Sequence, residues 1–106
     1  MTRIQALVDA VPPSARVVDV GADHGLISLG LAKRSDIGAV LATDISGDSL
    51  SKLTKALPQE AAGIQQKIHM TVTDGLQQLP WSSADTIVIA GMGGPLIERI
   101  LRDSLP

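Results

Sequence analysis

The chain has 106 residues, of which 44% are hydrophobic and 19% charged, and its net charge is −2 at neutral pH. This composition predicts one folded globular domain and excludes a disordered chain. The absence of cysteine excludes disulfides, thiolate metal ligands and a cysteine nucleophile. The nine basic residues are scattered, and no apolar run reaches the roughly 18 residues that a membrane span needs. We therefore expect a cytoplasmic protein that does not contact a membrane. The charge distribution alone indicates no surface for binding nucleic acid.

Helix and strand patterns alternate along the chain. Apolar residues recur at helical spacing in four segments: 4–11, 26–34, 47–57 and 96–101. Continuous apolar runs predict buried strands in four others: 16–20, 38–45, 67–72 and 84–90. Ser46 is placed to cap the third helix, and Gly30 in the second is expected to allow close packing on the sheet. Such alternation is typical of a parallel sheet covered on both faces, so we predict a doubly wound α/β fold.

Unusual polar residues follow the predicted strands at the point where each strand ends. They are Asp19, Asp23 and His24 after the first strand, Asp44 after the second, Asp74 after the third, and the glycine loop 91–94 after the fourth. In open α/β sheets, ligands bind beyond the carboxyl ends of the strands. The sequence therefore predicts a nucleotide-type crevice at this edge.

The acidic residues of the crevice indicate which nucleotide it binds. A dinucleotide fold prefers G-x-G-x-x-G, but Asp23 occupies the place of the second glycine, and its carboxylate would repel a pyrophosphate. Carboxylates suit the cationic amino group and sulfonium of S-adenosylmethionine, with Asp44 placed for the ribose and Asp74 for the adenine amino group. Two alternatives remain. The acidic residues could serve only as helix caps or turn residues. The chain could also be a nicotinamide-binding domain, which Asp23 disfavours.

Four segments of the chain resemble one family: VVDVGADHGLISLGLA, TDI, TDGLQ and ADTIVIAGMGGPLIERIL. They are similar to the bacterial tRNA (adenine-N1)-methyltransferases that modify adenosine 22, whose motifs are D-I-G-S-D-H-A-Y-L-P and I-A-G-M-G-G-x-L-I. The resemblance implies a Rossmann-like class I methyltransferase fold, S-adenosylmethionine as cofactor, no metal, and tRNA as partner of the full-length protein. The absence of N-P-P-Y, typical of enzymes that methylate exocyclic amines, favours a ring nitrogen as target.

The resemblance also implies a role for each site residue. Asp19, Gly21, Ala22, Asp23 and His24 would hold the methionine end, Asp44 and Ile45 the ribose and adenine, Asp74, Gly75 and Leu76 the adenine, and Ala90, Gly91 and Met92 the methyl-transfer side. Asp23 is the candidate catalytic residue, because a carboxylate stabilises positive charge on the methylated base. Two departures stand out: A-Y-L-P is replaced by Gly25-Leu26-Ile27-Ser28, and the family's glutamate by Asp44.

Residues 1–106 are expected to form the N-terminal part of such a domain. A full sheet of this class has the strand order 3-2-1-4-5-7-6, so we expect the remaining strands and the family's C-terminal helical region to be absent. Strand four would then be an apolar edge beside a partly bare sheet face, which predicts a homodimer through strand four, or aggregation. The alternative function is a truncated, non-catalytic fragment that binds the cofactor or associates with itself.

Overall fold

The computed structural model describes residues 2–22, 24–74 and 84–89. The helices are α1 (Arg3–Ala10), α2 (Leu26–Ala32), α3 (Gly47–Ala56) and α4 (Ala62–Lys67), with a 3-10 turn at Leu57–Gln59. The strands are β1 (Ser14–Val20), β2 (Ile37–Asp44), β3 (Ile68–Val72) and β4 (Thr86–Ile89). The last predicted helix, 96–101, lies outside the described residues.

The four strands form one parallel sheet in the order β3-β2-β1-β4. Val20 is in register with Thr43 of β2 and with Ile89 of β4, and Asp44 with Val72 of β3. The carboxyl ends of the strands therefore lie side by side. This arrangement confirms the predicted α/β fold of about four parallel strands with flanking helices.

The described helices pack on one face of the sheet. Val8 of α1 and Leu31 of α2 share one buried cluster with Val17 and Val40. Leu50 and Leu53 of α3 form a second cluster, together with Ala32, Ala42 and Ile68. Successive strand residues point to opposite faces, so Val17, Val40, Ala42 and Ile68 mark a single face in this register. The helices therefore form one continuous layer over β1, β2 and β3.

The opposite face of the sheet is also buried at its centre. Val18, Val20 and Leu41 form a third cluster, each no more than 1% exposed, and Ala84 and Ile89 pack against it. This face is therefore covered at β1 and β2, whereas in β4 the side chain of Ile87 is 44% exposed. The partly bare sheet face stays a prediction.

Gly30 permits a close helix–helix contact rather than a helix–sheet contact. A Cβ atom built on Gly30 would lie 2.7 Å from Cγ2 of Val8 in α1. The expectation that this glycine serves packing on the sheet is therefore wrong, because the face of α2 that carries it is turned toward α1. The missing side chain lets α1 lie directly on α2.

Arg34 ties the end of α1 to the loop between α2 and β2. Its guanidinium donates hydrogen bonds to the carbonyl oxygens of Val8 and Val11, each at 2.7 Å. It also donates to both carboxylate oxygens of Asp36, at 2.9 and 2.8 Å. One planar side chain thus binds two carbonyls at a helix end, where carbonyl groups lack the full set of intrahelical partners.

The start of β4 is fastened to the start of β1 by polar side chains. The Asp85 carboxylate accepts hydrogen bonds from the backbone N–H groups of Ala15 (2.6 Å) and Arg16 (3.2 Å). The Ser14 and Thr86 hydroxyls are hydrogen-bonded at 2.8 Å. We call these residues the β1–β4 latch.

Candidate functional site

Backbone hydrogen bonds continue beyond the strand ends and join the loops of the predicted crevice. The N–H of Ala22, in the turn after β1, donates to the carbonyl of Thr43 in β2 at 2.8 Å. The N–H of Thr73, after β3, donates to the carbonyl of Asp44 at 2.9 Å. The first turn, the end of β2 and the loop after β3 are therefore neighbours, as the sequence predicts.

The first turn depends on two glycines with positive φ angles. Gly21 has φ 70° and Gly25 has φ 79°, in the left-handed region that disfavours residues with a Cβ. A Cβ on Gly25 would also lie 2.7 Å from Cδ1 of Leu53 in α3. The alanine of the resembled motif thus does not fit at position 25 in this conformation, and the turn lies close against α3.

Asp19 is buried beneath this turn. Its side chain is 1% exposed, and its Oδ2 accepts a hydrogen bond of 2.7 Å from the hydroxyl of Ser28 in α2. The backbone N–H of Ser28 also donates to it. Burial raises the pKa of Asp19 to about 6, the Ser28 hydrogen bonds oppose the rise, and the charge of Asp44 adds to it. The Asp19 carboxylate is thus engaged by α2, and its predicted contact with the methionine end stays a prediction.

Asp44 lies half-buried at the end of β2. Its Oδ1 accepts a hydrogen bond of 3.0 Å from the N–H of Ser46. The Ser46 hydroxyl in turn accepts from the N–H of Ser49 at 3.3 Å, which confirms the predicted cap of α3. Beside Asp44, the side chains of Ile45 and Val72 are 71% and 57% exposed. The strand ends thus place an acidic group next to an apolar surface that a planar ring can contact.

His24 lies exposed on the first turn and contacts α3. Its Nε2 is 3.1 Å from Nζ of Lys52. His24 and Leu26 also border a shallow pocket between α1 and α2, lined by Ile4, Ala22 and Ile27. Leu26, which stands where the resembled motif has tyrosine, is 55% exposed. The mouth of the crevice is therefore basic and apolar at this corner.

The structure gathers part of the predicted site at one sheet edge. The residues so placed are Asp19, Gly21, Ala22, His24, Asp44, Ile45 and Asp74. The predicted residues Asp23, Gly75, Leu76, Ala90, Gly91 and Met92 lie outside the described residues. In the described ranges no group of three or more His, Cys, Asp or Glu could hold a metal ion. None of the helices described there has the length and apolar character that crossing a bilayer requires.

Ser28 and Lys52 were not predicted from the sequence to lie at the site. Ser28 carried one signal, because it replaces the proline of the resembled motif. Lys52 carried none, since it meets His24 only through the packing of α3.

The parallel sheet and the acidic residues at its carboxyl edge define a Rossmann-like domain of the methyltransferase class. A family model described as a methyltransferase domain matches residues 1–106, and the chain belongs to this family. In sequence it is 32% identical over 100 residues to the tRNA (adenine(22)-N(1))-methyltransferase of Bacillus subtilis (strain 168), covering 93% of this chain and 41% of that protein.

Solved structures show the same likeness. A Streptococcus pneumoniae protein, Sp1610, a putative tRNA (m1A22) methyltransferase in complex with S-adenosyl-L-methionine, is 29% identical with a TM-score of 0.79, over 95% of this chain and 47% of that one. M. capricolum TrmK in complex with S-adenosyl-homocysteine shares the fold, with a TM-score of 0.85 and 21% identity over 99% of this chain and 47% of that one. The predicted resemblance is confirmed, and the chain spans less than half the length of these relatives.

Proposed function

We propose that this chain forms the cofactor-binding part of an S-adenosylmethionine-dependent methyltransferase that acts on N1 of the adenine at position 22 of tRNA. The observation that carries the proposal is the likeness to the Bacillus subtilis enzyme, which extends over 93% of this chain. Sp1610 with bound S-adenosyl-L-methionine supports the choice of cofactor.

The chemistry of the described residues fits this cofactor. The half-buried carboxylate of Asp44 can accept hydrogen bonds from ribose hydroxyls, and the exposed side chains of Ile45 and Val72 offer an apolar surface for adenine. Asp19 and Asp44 make the crevice electronegative, which suits a cationic amino group and a sulfonium better than a pyrophosphate. Direct contacts of Asp74, Gly75 and Leu76 with adenine, and of Ala90, Gly91 and Met92 with the methyl-transfer side, belong to the same proposal.

Methyl transfer to adenine N1 requires alignment rather than deprotonation. When bound, S-adenosylmethionine supplies an electrophilic methyl group on a sulfonium sulfur. The lone pair of N1 forms the new bond to carbon, the carbon–sulfur bond breaks toward sulfur, and the base gains the positive charge. The protein's part is to hold the base in line and to stabilise that charge, and Asp23 is our candidate for the second task. Because N1 lies on the Watson–Crick edge, the target adenine must be unpaired or flipped.

Calorimetry of the purified chain tests the cofactor. We expect S-adenosylmethionine to bind with measurable heat and NAD not to bind. Binding of NAD alone would replace the proposal by the nicotinamide alternative. Heat from neither ligand would refute cofactor binding by this chain.

Activity on tRNA is a separate test. Phosphate contacts dominate nucleic-acid affinity, and the nine basic residues here are dispersed. We expect this chain to bind tRNA weakly and to methylate it slowly or not at all, whereas a protein of the relatives' full length does both. Rapid methylation of adenine N1 by the 106-residue chain, with a steep salt dependence, would contradict this expectation.

Self-association through β4 is a second candidate function, and it is favoured by one observation. β4 is the outer strand of the sheet formed by the described residues, and its Ile87 side chain is 44% exposed. An apolar outer strand favours pairing with a second copy. We propose a homodimer with two-fold symmetry on this basis.

A further inference from the structure

The first turn of α2 is capped from a neighbouring strand. Gly25 occupies the N-cap position and has no side chain to accept a hydrogen bond from the helix. The carboxylate of Asp19 takes over this task from β1, accepting from both the hydroxyl and the backbone N–H of Ser28. Ser28 is 0% exposed, so neither bond competes with water. The contact joins the strand before the crevice turn to the helix after it.

Neither hydrogen bond of this contact can form in the resembled motif. In the resembled motif D-I-G-S-D-H-A-Y-L-P, the position of Ser28 is a proline. Proline has neither a hydroxyl nor a backbone N–H, and so could make neither hydrogen bond. The serine of this chain holds the buried acid by a contact that the proline of the resembled motif cannot form.

We infer that Ser28 is a positioning residue of the cofactor crevice, whose hydroxyl fixes the Asp19 carboxylate beneath the turn 21–25 and thereby sets the shape of the turn that receives the methionine end of S-adenosylmethionine. This inference rests on the proposed function. Gly21 and Gly25 lie in the turn at positive φ and have no side chains that could hold it. The hydrogen bond between Asp19 and Ser28 joins the residues on either side of the turn, and so adds to the backbone hydrogen bonds of Ala22 and Gly25.

The charges around Asp19 make the contact sensitive to pH. Asp44 on β2 is the charged neighbour among the described residues, and it opposes ionisation, as does burial. The cross-strand partners Ala42 and Val88 carry no charge. The Ser28 hydrogen bonds favour the ionised form, so without the hydroxyl the pKa of Asp19 rises further above its ordinary range. A protonated Asp19 accepts fewer hydrogen bonds and holds the turn less firmly.

The test measures S-adenosylmethionine affinity across pH for the wild-type chain, Ser28→Ala and Ser28→Thr. We expect Ser28→Ala to weaken binding at every pH, because the hydroxyl contact is lost. The loss should be about twofold near pH 8.5 and about fivefold near pH 6, where protonation of Asp19 also weakens its remaining hydrogen bond to the turn. Threonine keeps the hydroxyl and should restore the wild-type profile, even if its extra methyl lowers the melting temperature.

Ser14→Ala is the matched control. Ser14 is a buried serine at the far end of β1, with its hydroxyl bonded to Pro12 and Thr86, so its loss removes comparable contacts away from the crevice. Unchanged affinity in Ser28→Ala, an equal loss of affinity in Ser14→Ala, or a threonine variant that behaves like alanine would overturn the inference. A wild-type chain that binds no S-adenosylmethionine at any pH would instead refute the proposed function.

Discussion

Asp19 carries a thermodynamic cost in its ionised form, because its carboxylate is buried. Its pKa is about 6 in the folded chain against an ordinary value of 3.8. A raised pKa means that the folded state binds more protons between these values. The resulting stability is complete below about pH 4 and lost as the pH rises through about 6.

We therefore expect acidification from about pH 7 to about pH 4 to add about 2 kcal/mol to the free energy of unfolding through this one group. Asp19→Asn should lack this contribution, so the difference between the two chains in urea unfolding isolates it from other titrations. Parallel pH profiles for the two proteins would show that Asp19 is not the group responsible.

Asp44 is predicted to be a binding residue more than a stabilising one. Asp44→Ala should weaken S-adenosylmethionine binding by about 1.5–3 kcal/mol, the range for hydrogen bonds to charged groups. The melting temperature should change little, because the lost bond to Ser46 is offset by relief of repulsion with Asp19. Asp48→Ala, which removes an exposed acid from the first turn of α3, is the control in calorimetry. Equal affinities for the two variants would remove Asp44 from the site.

More of the candidate site could be predicted from the ends of the strands than from the helices. Asp44, Ile45 and Asp74 could be placed from sequence because a strand's carboxyl end fixes where its next residue lies. The burial of Asp19 could not, since it depends on Ser28 and on a glycine N-cap that leaves the helix end open. A contact between a turn and a distant helix, such as that of His24 with Lys52, has no period or motif to reveal it.

Among the elements, α1 is held at its C-terminal end by a side chain from the loop between α2 and β2. The Arg34 guanidinium bonds the carbonyls of Val8 and Val11 at the end of this short helix. Arg34→Met should therefore raise the hydrogen-exchange rates of α1 amides by at least about tenfold, while α3 amides change little. Lys33→Met is the neighbouring control, since its ion pair with Glu60 spans 3.7 Å at the surface. Uniform acceleration in all helices would instead indicate global destabilisation.

The helices and strands with a clear apolar pattern were predicted closely, and one helix without such a pattern was not predicted. The strands β1 to β3 and the helices α1 to α3 lie within a few residues of their predicted bounds. Helix α4 (Ala62–Lys67) was not predicted, because it has no side-chain cap and contributes one core contact, Ile64. Its place in the chain is fixed by packing under β2 and β3, which local sequence does not show.

At the scale of the whole molecule, the proposed self-association makes a direct prediction. Ile87→Lys places a charge on the exposed part of β4 and should convert dimers into monomers without unfolding the chain. Sedimentation velocity at high protein concentration measures this. Val88→Lys is a useful contrast, because Val88 packs against the buried cluster of α1 and α2 and its replacement should lower stability. A wild-type chain that sediments as a compact monomer would refute the dimer.

The β1–β4 latch joins two segments that are far apart in the sequence, and this separation bears on the order in which the strands fold. Strands β1, β2 and β3 are joined through helices close in sequence, whereas Ala15 and Asp85 are 70 residues apart. Closing so long a loop costs more entropy than forming the neighbouring βαβ units, so we expect β4 to dock last. Asp85→Ala should then accelerate unfolding and leave the folding rate nearly unchanged in stopped-flow experiments. During synthesis, the acidic end of β2 would accordingly be formed before β4 docks.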